Sequence, residues 1–77
     1  MTLALAQLED GERGKISEIS GGQGLTRKLD NMNLYIGKEI MKITRQSRKG
    51  PVIVQVGNSQ LALGYGIACK IWIEVIR

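Results

Sequence analysis

Glycine punctuates this 77-residue chain at ten positions and divides it into short segments. Several of these segments alternate apolar and polar residues or are apolar throughout, which is typical of short β-strands. The candidate strands are residues 15–20, 38–45, 52–56, 61–63 and 71–76. Five short strands and one helix in this length predict a mainly β fold, a small β-barrel formed by a single domain, residues 1–77.

The first candidate strand departs from strict alternation, because its apolar residues Ile16 and Ile19 are three positions apart. A β-bulge or a strong bend would turn both side chains inward, and such irregularities are common at the rims of small barrels. We therefore expect a bulge between these two residues.

One segment has the periodicity of a helix. Leu25, Leu29 and Met32 are spaced i, i+4 and i+7, so they share one face of a short amphipathic helix. Asn33 follows the last apolar position, and Asn is second only to Gly as the left-handed residue that closes a helix. Leu34 is then placed to pack back on the final turn.

The side-chain inventory excludes most catalytic and metal sites. The chain has no His and a single Cys, Cys69, so it cannot form a Ser/His or Cys/His nucleophile pair or an internal disulfide. The Cys, the methionines and the carboxylates show no spacing that would gather several ligands around one ion. A chain this short also has little apolar area to spare for a deep pocket. We therefore expect a surface-acting module that is not an enzyme and holds no cofactor and no preformed metal site.

The single cysteine and the absence of long apolar runs indicate the cellular compartment of the protein. One unpaired thiol in a small chain indicates a reducing compartment. The first six residues lack a basic region and are too short for a signal peptide, and no later apolar run is long enough to span a bilayer. These features predict a soluble, cytoplasmic protein.

Positive charge is concentrated in the middle of the chain. The whole chain has 11 Lys and Arg against 7 Asp and Glu, a net charge of +4, whereas residues 25–49 alone have a net charge of +5. Such a patch fits nucleic-acid phosphates, an anionic membrane or an acidic protein surface. The basic residues are not regularly interleaved with aromatic side chains that could stack on bases. A solvated face is therefore favoured over any of these binding surfaces.

Four motifs, in their order and spacing, resemble those of the FeoA family over nearly the whole chain. The motifs are Leu5-x-x-Leu8-x-x-Gly11-x-x-Gly14-x-Ile16-x-x-Ile19, Gly21-Gly22-x-Gly24-Leu25-x-x-Lys28-Leu29-x-x-Met32, Gly50-Pro51-Val52-x-Val54, and Leu61-Ala62-Leu63-Gly64 with Ala68-x-x-Ile71-x-Ile73. Each motif alone is ordinary, and their order makes the resemblance specific.

The resemblance implies an SH3-like β-barrel and a small cytosolic component of bacterial ferrous iron uptake. It also implies a partner, FeoB, a membrane ferrous iron permease with a cytoplasmic GTP-binding domain, which recruits the protein to the inner face of the membrane and is regulated by it. Two positions depart from the family pattern. Asn33 stands where the family commonly has Gly at the helix end, and Lys28 stands where many members have Arg.

The candidate partner contacts are residues of the helix, its flanking loop and the basic segment after the second strand. They are Thr26, Arg27, Lys28, Asn31, Leu34, Tyr35, Arg45 and Arg48.

Two other functions stay open at this point. A GTPase-activating protein would insert one arginine beside the γ-phosphate of the permease's nucleotide. The arginines chemically able to do so are Arg13, Arg27, Arg45 and Arg48. The other alternative is direct transition-metal or nucleic-acid binding, because SH3-like barrels also occur as appended domains of iron-dependent repressors and in translation proteins.

The last candidate strand is apolar on both faces. Ile71, Ile73 and Val75 point one way, and Trp72 and Ile76 point the other. If the first set fills the barrel, the second set is available to a second copy of the chain, which predicts a homo-oligomer with an interface at Trp72 and Ile76. The alternative is that the N-terminal segment, residues 3–8, covers them.

Overall fold

The computed structural model describes residues 1–45 and 50–76, and of Thr44 and Arg45 it describes only the backbone. The described chain forms six β-strands, one 3-10 turn and two α-helices. In chain order these are β1 (Thr2–Ala4), the 3-10 turn (Leu5–Gln7), β2 (Arg13–Ile19), α1 (Gly22–Asp30), β3 (Glu39–Arg45), β4 (Val52–Val56), β5 (Ser59–Leu63), α2 (Tyr65–Ala68) and β6 (Ile71–Val75). The five predicted strands and the predicted helix are all present, with ends that shift by no more than three residues.

The six strands form one antiparallel sheet in the order β1-β6-β2-β3-β4-β5. β1 and β5 are its two edges, so the sheet is not closed by pairing between them. The molecule has nearly equal extents of 28 × 25 × 24 Å, and buried residues of β2 to β6 belong to one core cluster, so the sheet curves around that core. The predicted small, mainly β fold is confirmed, with one strand more than the sequence pattern indicated.

The extra strand, β1, lies alongside β6, with Leu3 opposite Ile73. Three residues are too few to show an alternation, which is why the sequence did not predict it. At its start the Met1 ammonium lies 2.6 Å from Glu74 Oε2, and the Thr2 hydroxyl donates to Glu74 Oε1 at 3.1 Å. The bond from the ammonium, and then the bond from Thr2, hold the pKa of the Glu74 carboxyl below its ordinary value.

The core consists of the inward-facing residues of the strands together with apolar residues of the N-terminal turn and of α1. Alternation is clearest in β4 and β6, whose first, third and fifth residues are all buried. On β6 these are Ile71, Ile73 and Val75, so the predicted orientation of this strand is confirmed.

β2 contains the predicted bulge. Ile16 lies opposite Ile73 and Ile19 lies opposite Ile71, so β2 has one residue more than β6 over the same span, and the register shifts between Ile16 and Glu18. The extra residue lets Ile16 be fully buried while Ile19, three positions later, still packs against the same core.

α1 ends as the sequence predicted. Asn33 has φ 64°, in the left-handed region, and its N–H donates to the Asp30 carbonyl at 3.0 Å. The Leu34 N–H donates to the Leu29 carbonyl at 2.9 Å, which completes a Schellman motif. Leu34 is 0% exposed. The expectation that Leu34 contacts a partner is therefore wrong in this fold, because its side chain is part of the core.

Candidate functional site

The outer face of α1, together with the residue that follows the helix, carries four of the eight predicted partner contacts. Thr26, Arg27, Lys28 and Asn31 are all exposed, because Leu29 occupies the opposite face and is fully buried. The Thr26 hydroxyl donates to the Gly22 carbonyl at 3.0 Å, so this side chain is held against its own helix. Arg27 and Lys28 lie in the last turn, where positive charge stabilises the carbonyl end of a helix.

Two large apolar residues protrude from the loop that follows the helix. Tyr35 is 44% exposed and Ile36 is 64% exposed. The Lys38 ammonium lies 5.9 Å from the centroid of the Tyr35 ring, at a distance suited to a cation–π contact. Ile36 was not among the predicted contacts, because no sequence periodicity in this loop indicates which apolar residue is left outside the core.

The protruding pair is fixed from both sides. Before it, Leu34 is buried in the core. After it, the Gly37 N–H donates to the Ile16 carbonyl at 2.8 Å, and the Ile16 N–H donates to the Lys38 carbonyl at 3.0 Å. A loop anchored at both ends holds its exposed side chains in place at little entropic cost to binding. We call the six residues Thr26, Arg27, Lys28, Asn31, Tyr35 and Ile36 the helix–loop surface.

The structure describes no side chain for either of the two remaining predicted contacts. Arg45 is the last residue of β3, and its backbone pairs with Val52. Arg48 lies outside the described residues.

The two residues predicted to form an oligomer interface differ in their exposure to solvent. Trp72 is half-buried, and its indole N–H donates to the Ser20 hydroxyl at 3.1 Å. Ile76 is exposed and follows the last residue of β6. The N-terminal strand lies beside β6 within the sheet, with Ala4 opposite Trp72. An interface between two copies at Trp72 and Ile76 stays a prediction.

A buried lysine was not predicted from the sequence. Lys42 on β3 is only 3% exposed, and its ammonium donates to the carbonyls of Ala6 and Leu8. These bonds tie the N-terminal 3-10 turn to the sheet. The mixed pattern of residues 38–45 predicted a strand, but it gave no sign that a cation within it would turn inward.

In the two described ranges, no three His, Cys, Asp or Glu residues are close enough to hold a metal ion together. Cys69 is a free, half-buried thiol. Within the same ranges, no helix has both the length and the apolar character needed to cross a membrane.

The antiparallel sheet curved around one core, with the amphipathic α1 packed on it through Leu29, forms a small SH3-like β domain. The FeoA domain family matches residues 3–75, which is almost the whole chain. The chain belongs to the FeoA family.

Three known proteins illustrate the relationship. The chain is 36% identical over 70 residues to "Putative Fe(2+) transport protein A" of Methanocaldococcus jannaschii, a match that covers 91% of this chain and 83% of the relative. A crystal structure of an iron uptake regulatory protein (FeoA) has a TM-score of 0.89 at 29% identity and covers 99% of both chains. A manganese-dependent transcriptional repressor has a TM-score of 0.86 at 20% identity over 97% of this chain and 42% of the repressor, which shows a shared fold alone.

Proposed function

We propose that this chain is an accessory protein of ferrous iron uptake that binds the cytoplasmic side of a FeoB-type permease. Membership of the FeoA family supports the role, and the relatives' names refer to Fe(2+) transport and to iron uptake regulation. On this proposal the chain works in the cytoplasm, at the inner face of the membrane, and has no catalytic activity of its own.

The observation that carries the proposal is the helix–loop surface. An isoleucine and a tyrosine held out in solvent beside Arg27 and Lys28 combine an apolar contact with positive charge. Burying one such side chain on a partner contributes roughly 1.5–3 kcal/mol. The neighbouring cations would speed association with an acidic surface, which supports a protein face with carboxylates around an apolar recess as the docking site.

The test is binding to the purified permease, used both full-length and as its soluble GTP-binding domain. Ile36→Asp is expected to weaken binding at least about tenfold, because it places a charge where the proposal buries an alkyl group. Arg27→Glu combined with Lys28→Glu is expected to slow association and to reverse its dependence on salt. Lys70→Glu is the control for charge reversal, since Lys70 is an exposed cation outside this surface.

The proposal is rejected if neither form of the permease retains the wild-type protein. If the permease binds all variants equally well, the partner is supported but the helix–loop surface is not where it docks.

A second candidate function is activation of GTP hydrolysis by the permease. Arg27 favours it, because its guanidinium is exposed on the helix–loop surface, whereas Arg13 lies 3.9 Å from the Glu39 carboxylate. An arginine inserted beside the γ-phosphate speeds hydrolysis by about 10³–10⁵-fold. GTP turnover by the isolated domain that stays constant at saturating concentrations of this protein would eliminate this candidate.

A further inference from the structure

The geometry of the β4–β5 hairpin determines which backbone N–H and C=O groups of β5 form hydrogen bonds to β4. Gly57 and Asn58 form a two-residue turn between Val56 and Ser59, and Gly57 has φ 58°. In two-residue hairpins the residues that flank the turn form a hydrogen-bonded pair. Val56 and Ser59 are therefore such a pair, and hydrogen-bonded pairs then alternate along the ladder.

The alternation leaves two residues of β5 with their backbone groups turned to the outside. Leu61 and Leu63 bond to β4, so the N–H and C=O groups of Gln60 and Ala62 point away from the sheet. Gln60 and Ala62 are both exposed, and no hydrogen bond to their backbone groups forms within the described part of the chain. Their two donors and two acceptors form an open row along the edge.

This edge lacks the features that usually protect an edge strand. β5 has five residues, no charged side chain, no proline and a regular register with β4. The opposite edge, β1, has only three residues and begins at the ion pair between Met1 and Glu74. Of the two edges, β5 is the one open to another strand.

The charge distribution favours a second copy of this chain as that strand. The chain has a net charge of +4, so two copies repel each other overall. Residues 51–69 contain no charged side chain, and they include β4, β5 and α2. Two copies can therefore meet at β5 without bringing like charges into contact.

We propose that β5 pairs antiparallel with β5 of a second copy about a twofold axis at Leu61. Gln60 of each copy then exchanges backbone hydrogen bonds with Ala62 of the other, which satisfies the whole open row with four bonds. The two Leu61 residues form the non-hydrogen-bonded pair at the axis, where side chains approach most closely. Leu61 is half-buried in the single chain, and the contact completes its burial.

The first test is the mass in solution, measured by sedimentation over a concentration series. Edge-to-edge pairing of five-residue strands is at the small end of specific interfaces, about 1,200 Å² or less, so the mass should rise from 8.5 kDa towards twice that value only as concentration increases. Ala62→Pro removes an outward donor without removing a bond to β4, and Ala62→Lys adds a charge at the edge. Both variants should remain monomeric, whereas Gln23→Lys, which adds the same charge on exposed α1, should dimerise like the wild type.

The second test uses the unaltered chain, so it does not depend on whether a variant folds. Amide hydrogen exchange at Gln60 and Ala62 should be fast at low concentration and slow at high concentration, while their neighbours bonded to β4 stay protected throughout. A monomer at every concentration overturns the proposal. So does a dimer in which these two amides still exchange freely, or one that Ala62→Lys leaves intact and Ile76→Lys dissolves.

Discussion

Gly14 lies at a position of β2 where the neighbouring strand leaves no room for a side chain. A Cβ there would clash with the Glu74 carbonyl oxygen and would be 2.6 Å from Cγ2 of Ile73. The carbonyl belongs to the backbone of β6, so it cannot move without disturbing the pairing of β2 with β6. Space, and not backbone conformation, requires glycine here.

We expect Gly14→Ala to lower the free energy of unfolding by about 1–3 kcal/mol, because the added methyl group overpacks two paired strands. Urea denaturation followed by circular dichroism would measure the change.

Gly24→Ala is the matched substitution at a glycine with open space around it. Gly24 lies in α1, and a Cβ there would meet nothing within 4 Å. Alanine has the higher helix propensity, so this variant should be more stable than the wild type by up to about 1 kcal/mol. Equal stabilities of the two variants would show that crowding at Gly14 has no energetic weight.

Lys42 shows how a single residue can join distant segments. Its ammonium is enclosed and satisfied by two backbone carbonyls of the segment around the 3-10 turn. Burying a charge is costly unless hydrogen bonds replace its hydration, and the carbonyls of Ala6 and Leu8 supply them here. The residue type predicts exposure, and only the path of the N-terminal segment reverses that expectation.

At the scale of elements, the end of α1 decides what the following loop exposes. The left-handed Asn33 turns the chain so that Leu34 enters the core. Tyr35 and Ile36 then lie outside the core, and the next residue, Gly37, hydrogen-bonds to Ile16 of β2. The helix–loop surface is therefore a consequence of how the helix is capped.

Asn33→Ala should destabilise the protein by about 1 kcal/mol, because a left-handed conformation costs an ordinary L-residue about 1–2 kcal/mol and Asn tolerates it better than Ala. Asn33→Gly should leave stability unchanged or raise it, since glycine adopts this conformation freely. Thermal and urea denaturation of the pair would measure the difference.

The difference in stability between these two variants tests whether the left-handed conformation of residue 33 ends α1. An alanine variant as stable as the glycine variant would mean that the residue leaves the left-handed region, and the Schellman motif would then not be what ends α1.

At the scale of the molecule, the two proposed contact regions use different parts of the sheet. The helix–loop surface is attached to β2 through the bonds between Ile16 and residues 37–38. β5 lies at the edge, separated from β2 by β3 and β4 in the sheet. One region is basic with an apolar tip and the other is uncharged, so binding a permease and pairing two copies are compatible activities.

The distribution of possible metal ligands over the whole molecule gives an expectation for direct iron binding. The described residues bring no three His, Cys, Asp or Glu side chains together, and the chain as a whole contains no His. We expect titration of the purified protein with ferrous ion under anaerobic conditions to show no tight, stoichiometric binding. Isothermal titration calorimetry with a chelator-stripped sample would measure it, and a saturable one-to-one isotherm would contradict the expectation.

Local pattern predicted much of this fold, and it failed where distant segments meet. The spacing of Leu25, Leu29 and Met32 predicted α1, and the Ile16 to Ile19 spacing predicted the bulge. Both are properties of contiguous residues. The burial of Lys42 and the protrusion of Ile36 depend on which remote segment comes to lie over them, and a short-range pattern does not contain that information.

By itself the sequence determined five of the six strands, the longer helix, the residue that ends it and the family, because alternation, helical spacing, capping chemistry and motif order are all properties of neighbouring residues. Only the tertiary structure decided that Leu34 is core and Ile36 is surface, that Gly14 has no room for a side chain, and that β5 is an open edge. These outcomes follow from strand order and curvature, which bring together residues that are far apart in the chain.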